Sequence, residues 1–99
     1  MIALTQEGNQ SVIALDDRFD FSYGREFTAT LTKAIESAPA VVCIDMLRVQ
    51  YIDSSALGYL LVARETATAA RKEIILANLQ ANVKAITEIA KFSKLFKFA

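Results

Sequence analysis

The chain has 99 residues, 11 basic and 11 acidic, so its formal net charge is zero and it lacks the basic excess of a general nucleic-acid binder. With no histidine and one cysteine, it cannot use Ser-His-Asp hydrolysis, His acid–base chemistry, a His-based metal site, a zinc cluster or an internal disulfide. Hydrophobic residues make up 54%, yet no window approaches the roughly 20 apolar residues of a membrane span. The expected organisation is one domain, residues 1–99, with one core. Ala3 to Glu7 and Gln10 to Asp16 predict two short strands around a Gly8-Asn9 hairpin turn. Arg18 to Phe21 predicts a loop, with Ser22 as the cap of a following helix and Arg25-Glu26 just inside it. From Tyr23 to about Ser37, the spacing of Phe27, Leu31, Ala34, Ile35 and Ala38 predicts an amphipathic helix closed by Pro39. Val41 to Ile44 is apolar on both alternating faces, which predicts a central strand covered on both sides. Leu47 to Ile52 predicts a loop.

A second helix is expected from about Ser54 to Arg71, with a stripe of Ala56, Leu60, Ala63, Ala67 and Ala70. Glu73 to Ala77 predicts a strand. Ala81 to about Phe92 predicts a helix through Val83, Ile86, Ile89 and Ala90, and Leu95 to Phe98 a final short strand or extended tail. The order β-β-α-β-α-β-α-β predicts an α/β fold with parallel crossovers. The N-terminus lacks the basic start and apolar stretch of a signal peptide, so a cytoplasmic protein is expected. Cys43, inside an apolar run, is expected to be a buried thiol. Charge is unevenly placed: Asp16, Asp17 and Asp20 lie early, and Lys84, Lys91, Lys94 and Lys97 lie near the end. The bland reading is two solvated faces; the alternative is steering of a protein partner.

The run Asp53-Ser54-Ser55-Ala56-Leu57-Gly58 falls where the second helix opens after the central strand. A helix N-terminus has unsatisfied N–H groups and a partial positive charge, so it suits capping oxygens or an anion. Asp53 is expected to cap through the N–H of Ser55 or Ala56, a role compatible with recognition. Ser54 reads as a capping or turn hydroxyl. Ser55, taken alone, is an ordinary helix-start serine. Gly58, one turn into the helix, costs about 1 kcal/mol relative to alanine, which close packing or close approach of a partner's backbone would explain. Asp20 reads equally as a loop carboxylate or a partner contact. No cofactor is expected, because the only glycines are Gly8, Gly24 and Gly58 and no Gly-rich phosphate loop exists.

These residues resemble the STAS domain family, and within it the bacterial anti-sigma-factor antagonists. That family's signature is an aspartate, two hydroxyl residues, a small residue, an aliphatic residue and glycine opening a helix after the central strand. Ala56 stands where glycine is more frequent. Arg18-Phe19-Asp20, Val42 to Met46 with Val49 to Ile52, and Ser93 to Phe98 resemble other parts of the family, so the likeness spans nearly the whole chain. The resemblance implies a single mixed sheet of four to five strands with helices packed on it. It also implies phosphorylation of Ser55 by a serine-protein kinase that is itself often the anti-sigma factor. Asp20, Asp53, Ser54, Ala56 and Gly58 would then belong to the partner-binding face. A PP2C-type phosphatase would reset the switch. A second implied role is a STAS subunit of an ABC-type lipid transport system, where the helix opening usually lacks two serines. An enzyme using Asp53 and Ser55 is the third reading, disfavoured because only carboxylates and lysines remain as bases.

Overall fold

The structure is a computed structural model and describes residues 2–99. Strands β1 (Ala3–Glu7) and β2 (Gln10–Ala14) form an antiparallel hairpin. Gly8 holds its turn at a φ of 63°, while Asn9 is not among the residues of positive φ. That pattern, left-handed at the first turn position only, matches the twist of the flanking strands. Strands β4 (Val41–Asp45), β6 (Glu73–Ala77) and β7 (Lys97–Phe98) follow in parallel, giving a five-stranded sheet in the order β1-β2-β4-β6-β7. Between the parallel strands lie helices α1 (Gly24–Ser37), α2 (Ser54–Ala69) and α3 (Ala81–Ile89).

Two segments expected to be loops contain short strands. β3 (Arg18–Phe19) and β5 (Tyr51–Ile52) pair in parallel as a separate two-stranded ribbon. Two-residue strands carry no readable periodicity; Phe19 and Ile52 are simply the two that point into the core.

Register sorts the sheet into two faces. Ile13, Ile44 and Leu76 lie opposite one another, flanked by Leu4 and Phe98, and belong to the main core. The neighbouring row contains Val12 and Cys43, which with Ala77 form a separate small cluster to which no helical residue belongs. The central strand is therefore covered by helices on one face only, contrary to its two-sided apolar pattern. Burial, followed by the charges of Asp45 and Glu7, pushes the Cys43 thiol above its usual pKa. It is 8% exposed and packs as a small hydrophobe.

Helix α1 buries Phe27, Leu31, Ala34 and Ile35 at the expected spacing. It stops at Ala38, whose extended ψ of 133° is what a following proline demands. The Lys72 ammonium donates to the Ile35 carbonyl, one of the acceptors that a helix end leaves open. Helix α2 buries Ala56, Leu60, Ala63 and Ala67, and three of these four are alanines that let its backbone lie close to the sheet. Ala70, expected in that stripe, is exposed because α2 has already ended. Helix α3 departs more. It buries Val83 and Thr87, while Ile86 and Ile89 are 37% and 82% exposed and Ala90 is exposed. Phe92 and Phe96, with ring centroids 5.0 Å apart, supply the apolar mass at this edge instead.

The end of α2 is closed by two overlapping bonds, Lys72 N–H to the Ala67 carbonyl at 2.8 Å and Arg71 N–H to the Thr68 carbonyl at 3.0 Å. This motif places Arg71 at a φ of 60°, where glycine is favoured. Replacing Arg71 with glycine removes the Cβ strain at the cost of extra freedom in the unfolded chain. Arg71→Gly is expected to raise the unfolding free energy by up to about 1 kcal/mol in urea denaturation. A fall of that size would show that the Arg71 side chain outweighs the strain.

Candidate functional site

Two aspartates hold the end of the molecule where α2 opens. Asp53 sits in extended conformation at the N-cap of α2, and its Oδ1 accepts from the Ala56 N–H at 2.8 Å. Its Oδ2 accepts from the Phe21 N–H at 3.1 Å, across 32 residues of sequence. One carboxylate thus caps the helix and ties it to the segment after β3. Asp20 caps the 3-10 turn Phe21–Tyr23: its Oδ1 accepts from the Ser22 N–H at 3.0 Å and the Ser22 hydroxyl at 2.5 Å. Its Oδ2 faces the Arg18 Nε at 3.4 Å. The cap expected of Ser22 is therefore made by Asp20, two residues earlier, and Ser22 is its donor. The extra turn intervenes because α1 begins only at Gly24, with no side-chain cap of its own.

The Ser22 hydroxyl is the main reason that the Asp20 pKa lies below its ordinary value of 3.8; burial acts in the opposite sense, and the Ser22 N–H and Arg18 add to the lowering.

Aromatic packing fixes the two segments further. Phe19 lies 5.0 Å from Phe27 and 6.0 Å from Tyr59, ring centroid to ring centroid. The Tyr59 hydroxyl donates to the Phe21 carbonyl at 3.0 Å. This brings Tyr59 so close to the start of α1 that a Cβ on Gly24 would lie 2.8 Å from its hydroxyl. Any side chain at position 24 would require the Tyr59 ring to shift from this position.

Within this frame the serines are unengaged. Ser54 is exposed and Ser55 half-buried, and among the described residues neither hydroxyl has a hydrogen-bond partner. Ser11, Ser22 and Ser37, by contrast, all bond to neighbours. Asp53 takes up the N–H groups of Ala56, through its side chain, and Leu57, through its carbonyl at 3.3 Å. The N–H groups of Ser54 and Ser55 are left at the open end of the helix. Ala56 is completely buried, so it sets the position of the helix and offers no surface of its own. Gly58 is the reverse case: a Cβ there would meet nothing within 4 Å, so packing inside the domain does not explain it.

Three exposed apolar side chains in the connecting segments were missed by sequence reasoning. Phe21 is 71% exposed, Leu47 59% and Tyr51 46%. The Arg18 guanidinium lies 4.4 Å from the centre of the Tyr51 ring. Their signal was their position: large apolar residues in connections, outside any periodic run. Arg25 borders a groove with Phe21 and Tyr59, Arg48 is exposed in the β4–β5 connection, and the Tyr23 hydroxyl donates to Asp16 at 3.2 Å.

This arrangement can be compared with known proteins. A family model described as "Mlab, STAS domain" matches residues 2–97. Over 93 residues the chain is 33% identical to the STAS-domain containing protein PA14_20770 of Pseudomonas aeruginosa (strain UCBPP-PA14), covering 94% of this chain and 91% of that protein. The chain belongs to the STAS domain family. Among solved structures, the anti-sigma factor antagonist SpoIIAA in its unphosphorylated form superposes with a TM-score of 0.77 at 20% identity, covering 100% of this chain and 87% of that one. The phosphorylated form of SpoIIAA, a Bacillus cell fate determinant, gives 0.75 at 20% identity over 100% and 91%. An anti-sigma-factor antagonist (STAS) domain protein from Planctomyces limnophilus gives 0.86 at 18% identity over 98% and 87%. The fold is thus the α/β STAS fold, a five-stranded mixed sheet with three helices. Domains of this family are typically non-catalytic binding modules. No helix among the described residues is long and apolar enough to cross a membrane.

Two predictions follow from the mouth. With open space at Gly58, Gly58→Ala is expected to raise the unfolding free energy of this STAS domain by about 1 kcal/mol in urea. An unchanged or lower value would reveal a contact that alanine disrupts. A carboxylate whose pKa is lower when folded stabilises above its unfolded pKa, and that contribution is lost as pH falls through the folded value. The Ser22 amide resonance, followed by NMR, should therefore titrate with a midpoint below 3.8, and Asp20→Asn should abolish this transition. A midpoint at or above 3.8 in the unmodified domain would overturn the assignment.

Proposed function

We propose that this STAS domain is a phosphorylation-controlled binding module of the anti-sigma factor antagonist type, acting in the cytoplasm. In its unphosphorylated state it binds a partner anti-sigma factor that is also a serine-protein kinase. Phosphorylation of Ser55 releases it, and a PP2C-type phosphatase restores it. Neither a nucleic acid nor insertion into a membrane has a part in this cycle.

The observation that carries the reading is the contrast between Asp53 and Ser55. Asp53 has both oxygens engaged, while the Ser55 hydroxyl, two residues on, has no partner among the described residues. Modification of that hydroxyl leaves the cap and its link to Phe21 in place. A phosphate adds about −1.5 to −2 charges and three acceptor oxygens. The free N–H groups and the helix dipole offset roughly 0.3–1 kcal/mol of this, and Asp53 opposes part of that gain. The fold tolerates the charge; a partner surface matched to a neutral hydroxyl does not. Ser54, exposed beside it, and Gly58, where no side chain intervenes, give such a partner close access to the α2 backbone. Asp20 supports the face by fixing the turn that presents Phe21.

The test is direct. Phosphopeptide analysis of the protein from its host should find phosphate on Ser55. Ser55→Ala should bind the partner and resist inactivation, while phosphorylated or Ser55→Glu protein should bind on the order of a hundredfold more weakly, as a cost of about 3 kcal/mol dictates. Equal affinities for the two variants would refute the electrostatic switch, and absence of phosphate with the cognate kinase present would refute the modification. A role as a STAS subunit of an ABC-type lipid transport system uses the same face without the switch. It is recognised by co-purification with an ABC ATPase whatever residue stands at position 55.

A further inference from the structure

A second feature lies far from the serines, at the other end of α2. A cavity of about 360 Å³ opens between the C-terminal half of α2, the start of β6 and the segment leading into β7. Arg64, Lys72, Lys94 and Lys97 line it, with Glu73 as the only acid. Four of the chain's 11 basic side chains and one of its 11 acids thus meet in one concavity of a molecule with no net charge. Two of its walls are apolar and buried, Ile74 and Phe96.

The ordinary explanation for cations at a helix C-terminus is that they serve its open carbonyls. Here that work is done by the backbone. The carbonyls of Thr66, Ala67 and Thr68 accept from the N–H groups of Ala70, Lys72 and Arg71. Arg64 instead donates its Nε to the Leu95 carbonyl at 2.8 Å, which orients the guanidinium and leaves its terminal amino groups without a partner among the described residues. Lys72 is held by the Ile35 carbonyl. Both are half-buried, and neither has a carboxylate partner among the described residues. Lys97 pairs with Glu73 at 2.9 Å, and Lys94 has no ion-pair partner among the described residues. The lining residues therefore carry a net charge of +3, four cations less one acid, with Arg64 and Lys72 held by backbone carbonyls and only Lys97 paired with a carboxylate among the described residues.

We propose that this cavity binds a phosphate-bearing small molecule. A phosphomonoester or pyrophosphate group carries about two negative charges, more than a carboxylate, and its oxygens match an oriented guanidinium with flexible ammonium groups beside it. The cavity volume leaves space beyond the phosphate for a small body against Phe96 and Ile74. The site is independent of Ser55, because the 15 residues of α2 from Ser54 to Thr68, 14 helical rises, span about 20 Å.

The experiment is an amide NMR titration of the full chain with sodium pyrophosphate, ionic strength held constant with sodium chloride. Saturable shifts at Arg64, Thr68 and Lys94 to Lys97 are expected. Lys94→Gln, at a side chain with no hydrogen bond or ion pair among the described residues, should weaken binding about fivefold, and Glu73→Gln should tighten it by a similar factor. A parallel arm uses co-sedimentation with phosphatidylcholine vesicles, with and without phosphatidic acid. Binding to pyrophosphate alone identifies a soluble phosphate compound as the ligand, and binding to phosphatidic acid vesicles that Lys94→Gln weakens identifies a lipid headgroup. Absence of both overturns the proposal. So do shifts confined to Ser54–Leu57, or affinities that neither substitution changes.

Discussion

The carboxylate of Asp53 is the interaction on which the rest of this end of the molecule depends. One oxygen closes the first turn of α2 and the other holds the peptide of Phe21. An aspartate cap contributes about 1 kcal/mol, and a second bond to a backbone N–H adds a similar amount. Its larger effect is on geometry. The bond to Phe21 spans 32 residues and ties the α1 side of the domain to the α2 side. Without it, Ser54 and Ser55 would be two hydroxyls on a fraying helix end. With it, they stand at fixed positions beside the exposed rings of Phe21 and Tyr51.

That clamp works because α2 cannot slide. Ala56, whose N–H meets Asp53, is also completely buried, so the capped residue and the first core residue of the helix are the same. Ala63 and Ala67 keep the rest of the helix close to the sheet. On the other side, Tyr59 bonds the Phe21 carbonyl and lies against Phe19 and Phe27, with its hydroxyl close against Gly24. Phe21 is thus held through both its N–H and its carbonyl while its ring points to solvent. A surface gripped this way changes little in shape when a hydroxyl beside it is modified. Under the proposed switch, the signal sent by a modified hydroxyl would be charge and bulk, not unfolding.

Much of this was legible in the amino-acid sequence, and the rest failed for identifiable reasons. Gly8-Asn9 announces the hairpin and the spacing of Phe27, Leu31, Ala34 and Ile35 announces α1, because each signal is local and periodic. The Asp53 cap is legible for the same reason, but its second oxygen is not: nothing near Asp53 in sequence indicates Phe21. The β3–β5 ribbon is equally long-range, made of two-residue strands helped by Gln50 and Tyr51 N–H groups on the Asp17 carbonyl. Ser22 and Asp20 are both good caps two residues apart, and only the intervening 3-10 turn decides between them. In α3, Ile86 and Ile89 satisfy the helical period yet face outward, since Phe92 and Phe96 fill that edge of the core. Gly58 could be explained by packing or by a partner from sequence alone. The empty space around it removes the first of these.

Zero net charge conceals a polar arrangement along α2. Asp53 and Asp20 stand at its N-terminal end, and Arg64, Lys72, Lys94 and Lys97 gather toward its C-terminal end. The aspartates agree with the helix macrodipole, which favours acids at the start; at the other end the backbone closes the helix carbonyls and the cations line the cavity instead. A phosphate on Ser55 would add charge to the acidic end, where the partial positive charge of the helix and two free N–H groups meet it. The cationic cavity lies about 20 Å further along, more than two Debye lengths at physiological salt. Across that distance the two ends exchange little electrostatic energy through solvent. A phosphate on Ser55 and an anion in the cavity, as proposed, would therefore each be met by their own end of one helix, with little effect of one on the affinity for the other.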